Sequence, residues 1–282
     1  MRPAVYTTFA LIAFAFNSIL CRMALRGGEA DAAGFTLVRL VSGALTLIVI
    51  SYFFGKEKNF KGRGNWLSAF FLFTYAICFS FAYLGLTAGT GALILFGAVQ
   101  LTMITFAIIR GERPNALEWI GLSAAVAGLV YLVLPGLSAP PLASSALMAA
   151  AGASWGFYTL RGKGSASPLA DTTGNFTFAV PMVLIAALPF VGSLHLSSSG
   201  LVLAVLSGAV ASGIGYTVWY FALKHHTATR AAVLQLSVPV IAALAGILFL
   251  AETATARLAV AAALTLGGIV LTIYGRRRLV IR

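Results

Sequence analysis

Apolar residues fall along this chain in long runs, and polar residues collect in the short gaps between them. Ten such runs can be drawn, at 4–25, 34–54, 65–86, 89–110, 116–134, 143–160, 171–193, 199–223, 227–250 and 256–275. A helix needs about 20 predominantly apolar residues to cross the hydrocarbon core of a bilayer. Each run therefore predicts one membrane-spanning helix. Several gaps are punctuated as turns, with "RGERPN" at 110–115, "LPGLSAPP" at 134–141 and "KGSASP" at 163–168. No gap is long enough for a further domain, so the expected fold is an all-α integral membrane protein of ten helices. The first run shares features with a cleaved leader, with Arg2 ahead of it and small residues at Ala13 and Ala15. Its apolar character continues to Leu20, and we read it as a retained span.

Composition agrees with the pattern. Hydrophobic residues make up 60% of the 282 residues and charged residues 9%, where soluble domains carry about 25% charged. Mean hydropathy is +0.96. A formal charge of +12 does not point to nucleic acid, because Lys and Arg sit between apolar runs and form no basic domain. They set orientation instead. With the N-terminus in the cytoplasm, fifteen fall on the inner side, three (Arg22, Arg26 and Arg257) on the outer side, and Arg39 within a span. Both termini of this multi-pass membrane protein are thus expected to be cytoplasmic. Cys21 and Cys78 lie in apolar runs without disulfide or metal spacing. His225 and His226 have no further ligands near them in sequence and read as an interfacial loop. No metal or cofactor is expected.

The two halves resemble each other. Residues 89–131 match 229–271 at an offset of 140, pairing "ALILFGAV" with "AVLQLSVP", Glu112 with Glu252 and Gly128 with Gly268. The third and eighth spans align at an offset of 137, "AYLGL" with "WYFAL". Five spans per half is an odd number, so the second half enters the membrane upside down relative to the first. The expected organisation is two inverted five-helix repeats, 1–137 and 138–282, as transporters often have.

Ten spans in this arrangement resemble the drug/metabolite transporter superfamily, its EamA-type branch in particular. The features that carry the resemblance are the Glu closing the fourth span in "FAIIRGERP", the Glu closing the ninth in "ILFLAETAT", and Trp155-Gly156 in the sixth. A proline thirteen residues before the Glu is present as Pro239 but is Val99 in the first half, and Phe14-Ala15 stands where the family often has Trp-Gly. The resemblance implies an alternating-access carrier exporting small metabolites. Within it, bacterial exporters of amino acids, aromatic ones especially, fit the residues best.

One enzyme motif needs weighing. "GASWG" at 152–156 matches the G-x-S-x-G of serine hydrolases. That motif works on a sharp strand-to-helix turn that exposes the serine, whereas Ser154 lies mid-helix in a hydrophobic span. Small residues in membrane helices serve close packing, and we read Ser154 so. No enzyme is expected.

Polar groups within spans are the candidates for a substrate site. Arg39 suits a carboxylate with its planar fork; the plainer reading is a structural arginine that snorkels outward or pairs with Glu29 or Asp31. Asn17, Gln100 and Gln235 are neutral candidates, with helix–helix hydrogen bonding as the alternative. Aromatic residues follow helical spacing: Tyr75, Phe79 and Tyr83 in the third span, Phe96 in the fourth, Trp155 and Tyr158 in the sixth, Tyr216, Trp219 and Tyr220 in the eighth. They could form a stacking chamber, although Trp and Tyr also gather at membrane interfaces. All seven acids lie at or near span ends. Proton-driven pumps usually need an acid or His within the membrane, so transport is expected to be facilitative, with proton-coupled export of drugs or other neutral metabolites as the alternative. Partners are then a small-molecule substrate and the lipid bilayer. Pro181, Pro189 and Pro239 permit bends, and Ala204, Gly208 and Ser212, four apart, allow close contact with a neighbouring helix.

Overall fold

A computed structural model of the chain describes residues 3–54, 63–111, 114–134, 136, 139–163, 165–223, 225–226 and 234–280, with Pro3 and the last five without their side chains. Arg2, Lys56, Glu57, Lys58, Lys61, Glu112, Arg113, Lys224, Arg230 and Arg282 lie outside the described residues. The helical stretches are α1 (Pro3–Arg26), α2 (Ala32–Phe54), α3 (Trp66–Ala82), α4 (Ala88–Ile109), α5 (Ala116–Val133), α6 (Leu142–Gly162) and α7 (Pro168–Ala187). They continue with α8 (Ser198–Leu223), α9 (Ser237–Leu250) and α10 (Ala256–Val280). Among the described residues no strand forms; one isolated bridge joins Ala30 to Leu196.

Local chemistry sets the helix starts. Asn65 accepts from the backbone N–H groups of Leu67 and Ser68, Thr87 from Thr90, and Ser197 from Gly200, so each serves as an N-cap. Asn115 and Glu118 form a reciprocal capping box at the head of α5. Pro168 opens α7 at a position whose N–H has no helical partner anyway. In the α1–α2 loop, the Ser197 and Ser199 hydroxyls donate to the Glu29 carboxylate and hold its carboxyl below the usual carboxylate range. That tie persists above the ordinary carboxylate pKa and loosens as the pH falls through the depressed one.

Among the described residues seven helices are long and apolar enough to cross a membrane: α1, α2, α4, α5, α7 with the 3-10 turn Leu188–Ser193 that follows it, α8 and α10. The others differ from the sequence expectation for identifiable reasons. Helix α3 has 17 residues because the chain turns at Tyr83–Gly85, where Leu84 and Gly85 donate to the carbonyls of Phe81 and Ala82. Helix α9 has 14, its first residue being Ser237. Pro239 lies in the first turn of α9, just after the break at Leu236 that separates α9 from the helical residues 234–235, where a bend is compatible with its reading; Pro181 lies inside α7. Helix α6 is rich in Ala, Gly and Ser, and its hydropathy is lower for that reason.

Apolar side chains face outward along much of the length. Leu45, Val49, Leu184, Ile185, Leu244 and Leu248 are all exposed, while Asn17, Arg39, Gln100, Ser207 and Ser212 are buried. This inversion of the soluble pattern suits a hydrocarbon surround. Helix α5 packs along α10, α3 against α6 and α7, α4 against α6 and α9, α2 against α7 and α8, and α1 against α8 and α9. The α5–α10 seam is set by close backbone approach. A Cβ added at Gly121 would lie 2.5 Å from Thr272 Oγ1, one at Gly128 2.5 Å from Thr265 Oγ1, and one at Gly268 2.6 Å from the Ala125 nitrogen. Numbers rise on one helix as they fall on the other, so the pair is antiparallel.

Helix α8 changes character midway. Its segment Leu206–Ile214 is a π-helix, with the longer hydrogen-bond step of that form. Gly208 sits there against α2, where an added Cβ would come within 2.1 Å of the Arg39 carbonyl oxygen. Ser154 is buried in α6. Its flanking glycines meet α4, an added Cβ at Gly152 lying 2.4 Å from the Leu95 carbonyl oxygen and one at Gly156 3.0 Å from Thr102 Cβ. "GASWG" is thus a helix-packing motif.

Candidate functional site

A chamber lies among α1, α3, α4, α6 and α8, lined by Phe14, Asn17, Tyr75, Phe79, Leu95, Phe96, Trp155 and Tyr216. Trp155 is its hub. Ring centroids of Tyr216, Tyr75, Tyr158 and Phe14 lie 4.6, 5.0, 5.5 and 6.1 Å from the Trp155 centroid. Phe14 also meets Tyr216 and Trp219 edge-on, each at 5.7 Å. The free volume at the size of a water molecule is about 10 Å³, room for roughly one water. A metabolite-sized ligand fits only if the surrounding helices move apart.

Behind the Tyr75 and Tyr216 walls stands Arg39, 1% exposed. Its Nη2 donates to the Tyr75 hydroxyl at 3.0 Å and to the Tyr216 hydroxyl at 3.2 Å, and its Nε donates to Ser212 Oγ at 3.2 Å. The guanidinium carbon lies 5.1 Å from the Tyr75 ring centroid and 4.8 Å from that of Phe79, cation–π distances. Nη1 has no hydrogen-bond partner among the described residues. Asn17 ties α1 into the same network, donating from Nδ2 to the Tyr75 hydroxyl at 3.3 Å and accepting from Ser207 Oγ through Oδ1.

This geometry corrects two parts of the plainer reading of Arg39, the snorkel and the acid partner, and leaves its structural role in place. Arg39 neither snorkels outward nor pairs with an acid. Asp31 is engaged by the backbone N–H groups of Gly34 and His195, and Glu29 by Ser197 and Ser199.

Of the other sequence candidates, Asn17, Tyr75, Phe79, Phe96, Trp155 and Tyr216 line the chamber. Tyr83, Tyr158 and Trp219 form the layer behind, packed on Phe79, Trp155 and Phe14 respectively. Tyr220 is also buried. Gln100 and Gln235 are buried away from the lining; Gln100 Nε2 and Gln235 Oε1 have no partner among the described residues. Trp66 and Trp119 are exposed near helix starts, whereas Trp155 and Trp219 are buried in the ring cluster. Sequence reasoning missed Phe14 and Leu95 as lining and Ser207 and Ser212 as hydrogen-bond partners. A signal for Phe14 existed, since it holds the position matched by Trp155 in the other half.

Polar ties close both ends of the helix cluster. At one end Arg22 Nε pairs with Glu252 Oε1 at 3.3 Å and Arg22 Nη1 donates to the Tyr83 carbonyl oxygen at 2.9 Å. Glu252 Oε2 accepts from the Ala88 N–H at 2.8 Å, at the positive N-terminus of α4. Ala251, just before it, holds a left-handed conformation with φ 49°, strained for a residue with a side chain. At the other end Arg161 donates to Ser68 Oγ at 2.9 Å and to Asn65 Oδ1 at 3.0 Å, and the Asn65 N–H donates to Asn175 Oδ1 at 2.9 Å. Gly64, at φ +86°, meets Gly174 so closely that an added Cβ would lie 2.6 Å from its carbonyl carbon. Thr7 meets His226 Nε2 at 2.7 Å. Among the described residues no three metal-ligating side chains gather.

A sequence model of the EamA-like transporter family matches residues 2–134 and again 143–274. The chain belongs to that family: it is a membrane transporter of small molecules, and not an enzyme. It is 48% identical to an uncharacterized protein of Pseudomonas aeruginosa over 98% of this chain and 96% of that one. A probable amino-acid metabolite efflux pump of Salmonella typhimurium is 27% identical over 72% of this chain and 73% of its own. A chain in a solved crystal structure shares the fold with a TM-score of 0.69 at 19% identity, covering 98% of both.

Proposed function

We propose that this chain is an alternating-access carrier of ten spans, in two inverted repeats, 1–137 and 138–282. It sits in a bacterial inner membrane with both termini in the cytoplasm and exports small metabolites, amino acids foremost and aromatic ones in particular. No coupling ion is required. The neighbour relations of the helices support the inverted repeat. Exchange each helix for the one five places on, and α3–α6 becomes α8–α1, α4–α6 becomes α9–α1, and α3–α7 becomes α8–α2, all of them observed pairs. The pairs α5–α10, α4–α9 and α2–α7 map onto themselves. The offset of 140 carries Gly128 to Gly268 and Ala125 to Thr265, and Gly128 meets Thr265 while Gly268 meets Ala125. Such reciprocal contacts are the mark of a two-fold axis.

The observation that carries the functional reading is the setting of Arg39. Under the 137 offset Tyr75 corresponds to Ser212 and Phe79 to Tyr216, and all four meet Arg39. A buried cation held between equivalent faces of the two halves is in reach of a substrate from either side as the halves rock. The names of the Salmonella typhimurium and Escherichia coli relatives, probable amino-acid metabolite efflux pumps, support both the substrate class and export. In mechanism, the aromatic walls take the apolar body of the substrate, while Arg39 and the hydroxyls it organises face its carboxylate. The Arg22–Glu252 tie and the Asn65–Arg161–Asn175 tie then part in turn.

Counterflow in proteoliposomes tests this. Unlabelled phenylalanine is placed inside, a trace of labelled phenylalanine outside, and no ion gradient is applied. Transient accumulation of label, competed away by other amino acids and indifferent to a protonophore, is expected. Lack of accumulation by folded protein, or accumulation only under a proton gradient, contradicts the proposal.

A further inference from the structure

Building on that reading, we infer that beside amino acids the chamber takes aryl or alkyl monocarboxylates without an ammonium group, holds these anions more tightly than the zwitterions, and exports them under the drive of the membrane potential. Three observations carry this. First, the charge behind the chamber has no counter-ion among the described residues. Every described carboxylate is engaged elsewhere: Glu29 with Ser197 and Ser199, Asp31 with Gly34 and His195, Glu118 with Asn115, Asp171 with Ser165, and Glu252 with Arg22 and Ala88. Arginine stays protonated in proteins, so Arg39 remains an unbalanced buried cation. An unbalanced charge in a low-dielectric surround strongly favours an opposite one.

Second, a donor for that anion is in place. The Tyr75 hydroxyl lines the chamber and accepts from Arg39 Nη2, from Asn17 Nδ2 and, at 3.3 Å, from the Tyr216 hydroxyl. Its own proton is not given to any described residue, so it can be given to a carboxylate oxygen, with Arg39 behind it strengthening the bond. Third, an ammonium group finds no such partner among the described lining residues. No acid lines the chamber, and Asn17 Oδ1 is taken by Ser207. The rings of Tyr75 and Phe79 already face Arg39, so an ammonium group is left the faces of Phe14, Phe96, Trp155 and Tyr216 and no carboxylate. An α-amino acid can therefore enter, but its ammonium group is set beside a cation.

Charge then decides energetics. A carrier moving one monoanion per cycle moves one negative charge, and a membrane negative inside drives that charge outward without any coupling ion. At 100 mV, about 2.3 kcal/mol per charge corresponds to an equilibrium ratio of about 50-fold.

Three probes sharing a phenyl ring test the inference: 3-phenylpropionate (anion), phenylalanine (zwitterion) and phenethylamine (cation). Each is assayed as a labelled solute in proteoliposomes, under potassium–valinomycin potentials of both signs, with protein-free vesicles subtracted. The expected result is preference for 3-phenylpropionate, accumulation of it that follows the sign of the potential, and phenylalanine distribution that ignores the potential. Tyr75→Phe, which keeps the ring, should lower the preference for anion over zwitterion about tenfold, the worth of one hydrogen bond to a charged group. Arg39→Lys should keep more of that preference than Arg39→Gln. Phenylalanine transport with no transport of or competition by 3-phenylpropionate overturns the inference and leaves the carrier reading standing. Transport of 3-phenylpropionate alone supports the anion preference and removes amino acids as substrates. Preference for phenethylamine overturns the inference, as does a Tyr75→Phe selectivity equal to the parent's.

Discussion

The α5–α10 seam and the α2–α3–α8 wall around Arg39 are both built with small residues, and they use them differently. Along the seam, Gly121, Gly128 and Gly268 press backbone against backbone, and each meets a neighbouring main-chain atom that has nowhere to go. Around Arg39, Gly208 and Ser212 sit in a π-helical turn, leaving room for a guanidinium and its hydroxyl partners. The first arrangement has one good packing and resists change. The second joins its helices through polar contacts of about 3 Å that can be remade elsewhere. A carrier needs both, a fixed seam between halves and a wall that can part from its neighbours.

Breaking the seam should have the largest effect. Gly128→Leu forces a side chain into Thr265 and its backbone nitrogen, 2.8 Å from an added Cβ. Overpacking of this kind costs about 1–3 kcal/mol or more, and size-exclusion chromatography should show little folded protein. Gly267→Ala, one residue from the seam, has nothing within 4 Å of an added Cβ. It should raise thermal stability by up to about 1 kcal/mol through helix propensity. Similar stability for both variants would remove the distinction between seam and surface.

At the wall, Arg39→Gln removes a charge on which four side chains converge. Folded protein should be recovered, with exchange reduced at least about tenfold, the loss of one charged hydrogen bond. Glu252→Gln should have a smaller effect. The glutamine oxygen can still accept from the Ala88 N–H, but the ion pair with Arg22 is lost, at about 1 kcal/mol for a partly exposed pair. A few-fold rise in reactivity of a cysteine introduced at Phe79 toward a membrane-impermeant thiol reagent is the expected readout, and unchanged reactivity would show that the tie does not hold that end shut. Smallest of all, Ser154→Ala should leave exchange within about twofold, since Ser154 is buried between glycines that pack on α4; a dead variant would reopen the nucleophile question.

Much of the fold was legible because apolar runs carry it. Helix limits of α1, α2, α4, α5, α8 and α10 agree with the runs, apart from the extension of α10 beyond Gly275. Charged residues continue that helix to Val280. Arg39 was legible as the lone charge inside a span, and the third-span aromatic stripe because Tyr75, Phe79 and Tyr83 recur every four residues. Other features were not. Polarity marked Gln100 and Gln235 but could not say which way they point. The π-helical turn depends on how closely Gly208 approaches α2, a tertiary fact absent from local spacing. The Arg22–Glu252 pair joins residues 230 positions apart. Phe14 was seen only as a departure from Trp-Gly, although its match to Trp155 placed it opposite that ring.

The central claim is that Arg39, between equivalent faces of the two halves, anchors the substrate of a carrier. Counterflow of labelled phenylalanine, with parent and Arg39→Gln protein reconstituted side by side at equal folded amounts, tests it most directly. The account predicts a transient overshoot with the parent and label entry at least about tenfold slower with the variant. An equal overshoot from both would contradict it.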